Sequence, residues 1–104
     1  MNANACQVTS SGIALSGPVT YDTVVSLYEA ASAILESYDG HAFTACFAAV
    51  DQVDSAALTF MLSCVRLAAS KGVSVCFVSV PSGLYHIAQI GGVSELLRLE
   101  KSDD

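Results

Sequence analysis

The run Phe43-Thr44-Ala45-Cys46-Phe47-Ala48-Ala49-Val50 is almost wholly apolar, and just past its end the pattern changes to that of a helix. Such a run without clean alternation predicts an internal strand covered on both faces. The polar turn Asp51-Gln52-Val53-Asp54 follows, and a helical pattern runs from about Ser55 to Ser70. Leu58, Met61, Leu62, Val65 and Ala69 recur at helical spacing and predict its core stripe. Ala56, Ala57, Phe60, Cys64 and Leu67 widen the apolar surface past one face, leaving Thr59, Ser63, Arg66 and Ser70 as a narrow polar strip. A helix this apolar is either deeply buried or docked on another protein. A strand turning at once into such a helix restricts the chain to folds that pack helices on a sheet.

The flanking segments repeat that alternation. Cys6 to Thr9 and Gly12 to Leu15 read as a hairpin around Ser10-Ser11-Gly12. Val24, Leu27, Tyr28, Ala31, Ile34, Leu35 and Tyr38 form one helical stripe, with Asp22, Ser26, Glu29 and Glu36 on the other side. Thr20 or Asp22 is placed to cap that helix, and Asp39-Gly40 to end it. Lys71-Gly72 ends the second helix. The β-branched run Val73 to Val80 predicts another internal strand. Pro81-Ser82-Gly83 starts a short helix with Leu84, Ile87 and Ala88 inward, which Gly91-Gly92 breaks. A last turn is expected over Ser94 to Leu99, before an acidic tail. The whole reads as one α/β domain over 1–104, with its core at about 5–99 and a small mixed or parallel sheet.

Composition narrows the function. Hydrophobic residues are 53% of the 104 and charged residues 13%, the opposite of a disordered chain. The apolar excess implies that a partner covers part of the surface. The formal charge is −6, from 10 acidic and 4 basic residues. Phosphate backbones are bound chiefly by Lys and Arg, so nucleic acid is not an expected partner; an anionic leaflet is disfavoured for the same reason. The Ala56 to Ala69 stretch is too short to span a bilayer and holds Thr59, Ser63 and Arg66. Met1 to Ala5 lacks the basic-then-apolar order of a signal peptide, so a cytoplasmic location is expected. Cys6, Cys46, Cys64 and Cys76 stand singly, with no C-x-x-C pair, and read as reduced thiols, most of them buried.

Little in the chain suggests chemistry. His41 and His86 are far apart and neither lies near a Cys at ligand spacing, so no metal is expected. Gly91-Gly92 is not a phosphate loop, and no cofactor is expected. Asp51 and Asp54 form a carboxylate pair for which a solvated turn plus a helix cap is the simpler account. Asp54 or Ser55 can cap the unpartnered N–H groups that open the second helix. The four tyrosines read as amphipathic packing.

Three segments carry a family resemblance. Val53-Asp54-Ser55-Ala56-Ala57-Leu58 is similar to the Asp-Ser-(Ser/Thr/Ala)-Gly-Leu signature of STAS domains, the fold shared by sulfate transporters and anti-sigma-factor antagonists. Ala14 to Val24 resembles the Leu-Ser-Gly-Glu-Leu-Thr-Phe-x-Thr-Val segment before the family's first helix, and Gly91 to Leu97 its last turn and helix. Within that family the chain most resembles the small STAS subunits of bacterial lipid-asymmetry (Mla) ABC transporters. The resemblance implies a sheet with helices mainly on one side and a non-enzymatic subunit. Its expected partners are the ATPase of a phospholipid transporter and, through it, the membrane permease. It implies partner contacts at Asp54, Ser55, Ala56, Ala57 and Thr59. The alternative it leaves open is an anti-sigma-factor antagonist switched by serine phosphorylation. In such regulators the second hydroxyl of the signature takes the phosphate. Ala56 stands there and has no oxygen, which leaves only the neighbouring Ser55 as a candidate. Ala57 stands where Gly is usual, and Cys46 where Asp is common.

Overall fold

The computed structural model describes residues 5–90 and 97–101. The elements run β1 (Cys6–Thr9), β2 (Gly12–Val19), α1 (Val24–Glu36), β3 (Ala42–Val53), α2 (Ala56–Ser70), β4 (Ser74–Val80), α3 (Ser82–Ile90) and β5 (Arg98–Lys101). They make one five-stranded sheet in the order β1-β2-β3-β4-β5. β1 is antiparallel to β2, and the other neighbours are parallel. The hairpin at Ser10-Ser11 forms as expected, and β2 runs on to Val19.

Sequential parallel strands joined by helices dictate the layering. Each strand–helix–strand crossover is right-handed, so crossovers that all step the same way along the sheet put every helix on the same face. The burial pattern follows. Ile13, Leu15 and Val19 of β2, Phe43, Ala45 and Phe47 of β3, and Val75, Phe77 and Val80 of β4 are buried under the helices. Thr44 and Cys46, between them in sequence, are only half-buried, and Ala48 is exposed. The expectation that β3 is covered on both faces is therefore wrong. Ala and Cys at the outward positions made an alternating strand look uniformly apolar. The thiols are corrected with it: Cys64 is buried, but Cys46 and Cys76 are half-buried on the outer face and Cys6 is half-buried too. No disulfide joins the four.

Edge-to-face ring pairs join α1 to α2, the turn after α1 to β3, and β3 to β4. Tyr28 meets Phe60 at 6.4 Å, Tyr38 meets Phe43 at 5.1 Å, and Phe47 meets Phe77 at 6.2 Å. In α1 the buried residues are Leu27, Ala31 and Leu35, on the expected stripe. In α2 the deepest face is Ala57, Phe60, Met61, Cys64 and Ala68. Leu58, Leu62 and Val65 of the expected stripe are half-buried and Ala69 is exposed. The helix is rotated so that Ala57, Cys64 and Ala68 share the buried face with Phe60 and Met61, which a periodicity count over so apolar a helix does not separate from the neighbouring stripe.

Several boundaries differ. α1 ends at Glu36 rather than at Asp39-Gly40. Neither Thr20 nor Asp22 caps it by side chain. The position falls to Thr23, whose Oγ1 accepts the Thr20 N–H at 2.9 Å and donates to the Pro18 carbonyl, bracing the turn instead. The expected turn over Ser94 to Leu99 ends in a strand: Leu97 is buried and β5 pairs with β4. The part of that turn over 94–96, and the Gly91-Gly92 break, lie outside the described residues.

Candidate functional site

The C-terminal ends of β2 and β3 lie side by side, with Val19 opposite Val53 in the ladder. Each strand then turns into a helix, so the start of α1 and the start of α2 emerge together. Asp54 ties them. Its Oδ2 accepts the Tyr21 backbone N–H at 3.0 Å, and its Oδ1 accepts the Ala56 N–H at 2.8 Å. Of the two capping candidates, Asp54 satisfies one of the first N–H groups of α2 and holds the other turn as well. Ser55 occupies the N-cap position with helical backbone angles, φ −64° and ψ −17°, and makes no side-chain cap bond. Its hydroxyl is left at the surface because a cap oxygen needs extended backbone to reach back over the helix mouth.

Tyr21, Val24, Asp54, Ser55, Ala56 and Thr59 line a shallow cavity of about 350 Å³ at this point. Ser55 and Thr59 are exposed, and Asp54 and Ala56 half-buried. Ala57 does not belong with them. It is fully buried, one position round the helix and facing the core, so the contact expected of it is excluded. The sequence expectation missed Tyr21 and Val24. Tyr21 is 82% exposed, the reverse of the packing role expected for it. The signal was available: they follow β2 as Asp54 follows β3, and parallel neighbours bring such positions together.

Among the described residues, reactive groups do not converge. Burial pushes the Cys64 thiol up to about 12, with nearby Cys6 adding to the shift, so it is protonated at neutral pH and no nucleophile. Among the described residues no three His, Cys, Asp or Glu side chains cluster as metal ligands. None of the described helices is long and apolar enough to cross a membrane. What the site offers is a carboxylate already engaged by backbone, small side chains and one exposed aromatic ring.

The family model described as "Mlab, STAS domain" matches residues 4–98. No curated protein matches the sequence significantly. Solved structures share the fold at low identity. A candidate anti-sigma factor antagonist from Thermotoga maritima aligns with TM-score 0.76 and 11% identity, over 94% of this chain and 86% of that one. The unphosphorylated form of the anti-sigma factor antagonist SpoIIAA aligns with TM-score 0.73 and 15% identity, over 96% and 90%. A sulfate transporter family protein from Wolinella succinogenes aligns with TM-score 0.69 and 16% identity, over 90% and 78%. With its order of strands, its one-sided helices and its Asp54-Ser55 helix mouth, the chain belongs to the Mlab STAS-domain family.

Proposed function

We propose that this chain is a non-enzymatic STAS subunit that binds and stabilises or tunes the ATPase of a phospholipid-transporting ABC complex. It would act in the cytoplasm, held at the inner face of the inner membrane through that ATPase and its permease, and serve outer-membrane lipid asymmetry. One observation carries the docking part: the mouth of α2 is an open, small-residue surface lined also by an exposed Tyr21. Small side chains such as Ala56 let a partner's backbone approach closely, and an exposed aromatic is the commonest anchor of a protein contact. The Mla-type family match supports the choice of partner class. A subunit of this kind acts by binding one state of the ATPase more tightly than another.

The test is co-expression with an ABC ATPase encoded beside it, followed by size-exclusion chromatography. A stable complex is expected. Thr59→Arg and Ala56→Arg, on the cavity wall, should abolish it while the free variants keep the parent melting temperature. A chain that stays alone with such an ATPase would refute the reading. Incubation with a serine kinase and ATP separates the phosphorylation-switched alternative. That reading needs a gain of about 80 Da on Ser55, and none is expected, because the position that takes phosphate in the regulators is Ala56.

A further inference from the structure

β3 is longer than its neighbour. Its ladder with β4 runs from Ala42 opposite Ser74 to Cys46 opposite Val78 and stops there, yet β3 continues to Val53. The cause lies in β4. Ser79 takes a left-handed φ of 57°, the β4–β5 register shifts between Phe77 and Val80, and Pro81 ends the strand with no N–H to donate. From Ala48 to Val53, β3 is therefore paired on its β2 side only, through Ala49 to Ser16 and Val53 to Val19. No turn, loop or side chain among the described residues hydrogen-bonds to the backbone of 48–53. Ala48, Ala49, Asp51 and Gln52 are exposed. The segment is an edge inside the sheet's outline, open because the next strand has turned away.

We infer that this edge takes up a strand from the partner: an extended, proline-free segment of about six residues carrying Lys or Arg, hydrogen-bonded to β3 at 48–53. The inference rests on the reading that the partner is the ATPase, and it adds which surface the partner uses and with what chemistry. Three observations favour it. An unpaired strand edge is a template for another strand, and natural proteins blunt such edges with charges, Pro, bulges or a covering loop; 48–53 holds no Lys, Pro or covering loop, and its one charge, Asp51, sits where the ladder with β2 shifts register. Ala48 and Ala49 put no bulk beside the edge. The charged residues on this strand end and its adjoining turns are acidic. Asp51 lies on the strand, Asp54 ends it, and Asp22 is exposed at the neighbouring turn. Of the four Lys and Arg residues, Arg66 is well along α2, Lys71 at its far end has its Nζ on the Glu36 carbonyl, and Arg98 and Lys101 lie on β5, which pairs with β4 and not with β3. The edge runs straight into the cavity at Asp54, so one partner segment can pair with β3 while its neighbouring surface covers Tyr21 and Thr59.

Residue-resolved amide exchange on the free chain and on its purified complex with the ATPase tests this. Strand addition protects one amide in two, because alternate residues of a strand turn their N–H to the same side. The amides of 48–53 that exchange fast in the free chain should slow at least tenfold in the complex, at the positions whose N–H faces away from β2, an alternation interrupted at Asp51 where the ladder with β2 shifts register. Asp51→Lys should leave the fold intact and weaken the complex at least tenfold, and added salt should weaken the parent complex while barely changing the variant's. A complex in which 48–53 exchange as in the free chain overturns the inference and spares the ATPase reading. An Asp51→Lys chain that binds undiminished overturns the basic character of the segment. If no complex forms, both proposals fall together.

Discussion

Replacing Asp54 tests whether one carboxylate holds the helix mouth together. Its two oxygens accept two backbone N–H groups, from Tyr21 at 3.0 Å and Ala56 at 2.8 Å. A hydrogen bond to a charged group contributes about 1.5–3 kcal/mol when shielded. Asp54 is only half-buried, so water recovers part of each bond on deletion, leaving about 1 kcal/mol apiece and about 2 kcal/mol for Asp54→Ala. For a domain of this size that lowers the melting temperature by about 8–16 °C. Asp54→Asn keeps one acceptor oxygen and sets an NH₂ against the other donor, so about half the loss remains. Ser55→Ala removes a hydroxyl that caps nothing and should change stability by less than about 0.5 kcal/mol. Thermal and urea unfolding followed by circular dichroism measure all three. If Ser55→Ala costs as much as Asp54→Ala, or Asp54→Ala is neutral, the division of labour derived from the geometry is wrong.

A Cβ added at Gly12 would lie 2.0 Å from the Thr44 carbonyl oxygen, so Gly12→Ala should lose about 3 kcal/mol or more and yield mostly insoluble protein on expression. Gly83, in α3, has nothing within 4 Å of its would-be Cβ; Gly83→Ala should gain about 0.5 kcal/mol in urea unfolding through a less flexible unfolded chain. Phe47 is buried against Phe77, and Phe47→Ala should cost about 3–5 kcal/mol by the same assay. The Cys64 thiol is raised from 9.0 to about 12 in the folded chain. Above pH 9 the unfolded state gives up that proton while the folded state keeps it. The stability is thus whole below pH 9 and falls as pH rises toward 12, by at most about 1.4 kcal/mol per unit. Melting temperatures of parent and Cys64→Ala between about pH 8 and pH 10.5 should show the shallower slope in the variant.

The sequence displayed the alternation of elements because strand and helix periods differ and because turns carry Gly, Pro or Asp at fixed places. Asp54 and the helix after it were visible for that reason. What stayed hidden depends on distances across the fold. Phe43 to Val50 looked covered on both faces because Ala and Cys occur as readily on an open face as on a closed one. Ala57 and Ala56 are chemically identical neighbours, yet one faces the core and the other the cavity, a difference of a single step of about 100° round the helix. Ser55 looked like a cap by composition and failed through its backbone angles. Tyr21 joined the site only because β2 and β3 are parallel neighbours, which no local pattern states. β5 escaped because a four-residue strand, Arg98–Lys101, alternates too briefly to be told from a turn.

The strand order itself bears on what kind of ligand the site can hold. Open parallel sheets bind small molecules at the carboxyl ends of strands where the order reverses, since helices leaving to opposite faces open a crevice there. In this sheet the parallel strands follow one another without reversal, and the helices stay on one side. The carboxyl ends of β2 and β3 therefore carry two helix starts lying against each other, laced by the Asp54 carboxylate, and the cavity above them is shallow. A small ligand there keeps much of its surface in water and gains little from burial. A protein surface suffers no such limit, because it can lie across Tyr21, Ala56 and Thr59 together and continue along the open edge of β3. The same one-way crossover that puts every helix on one face thus removes the crevice and leaves a surface suited to a macromolecule.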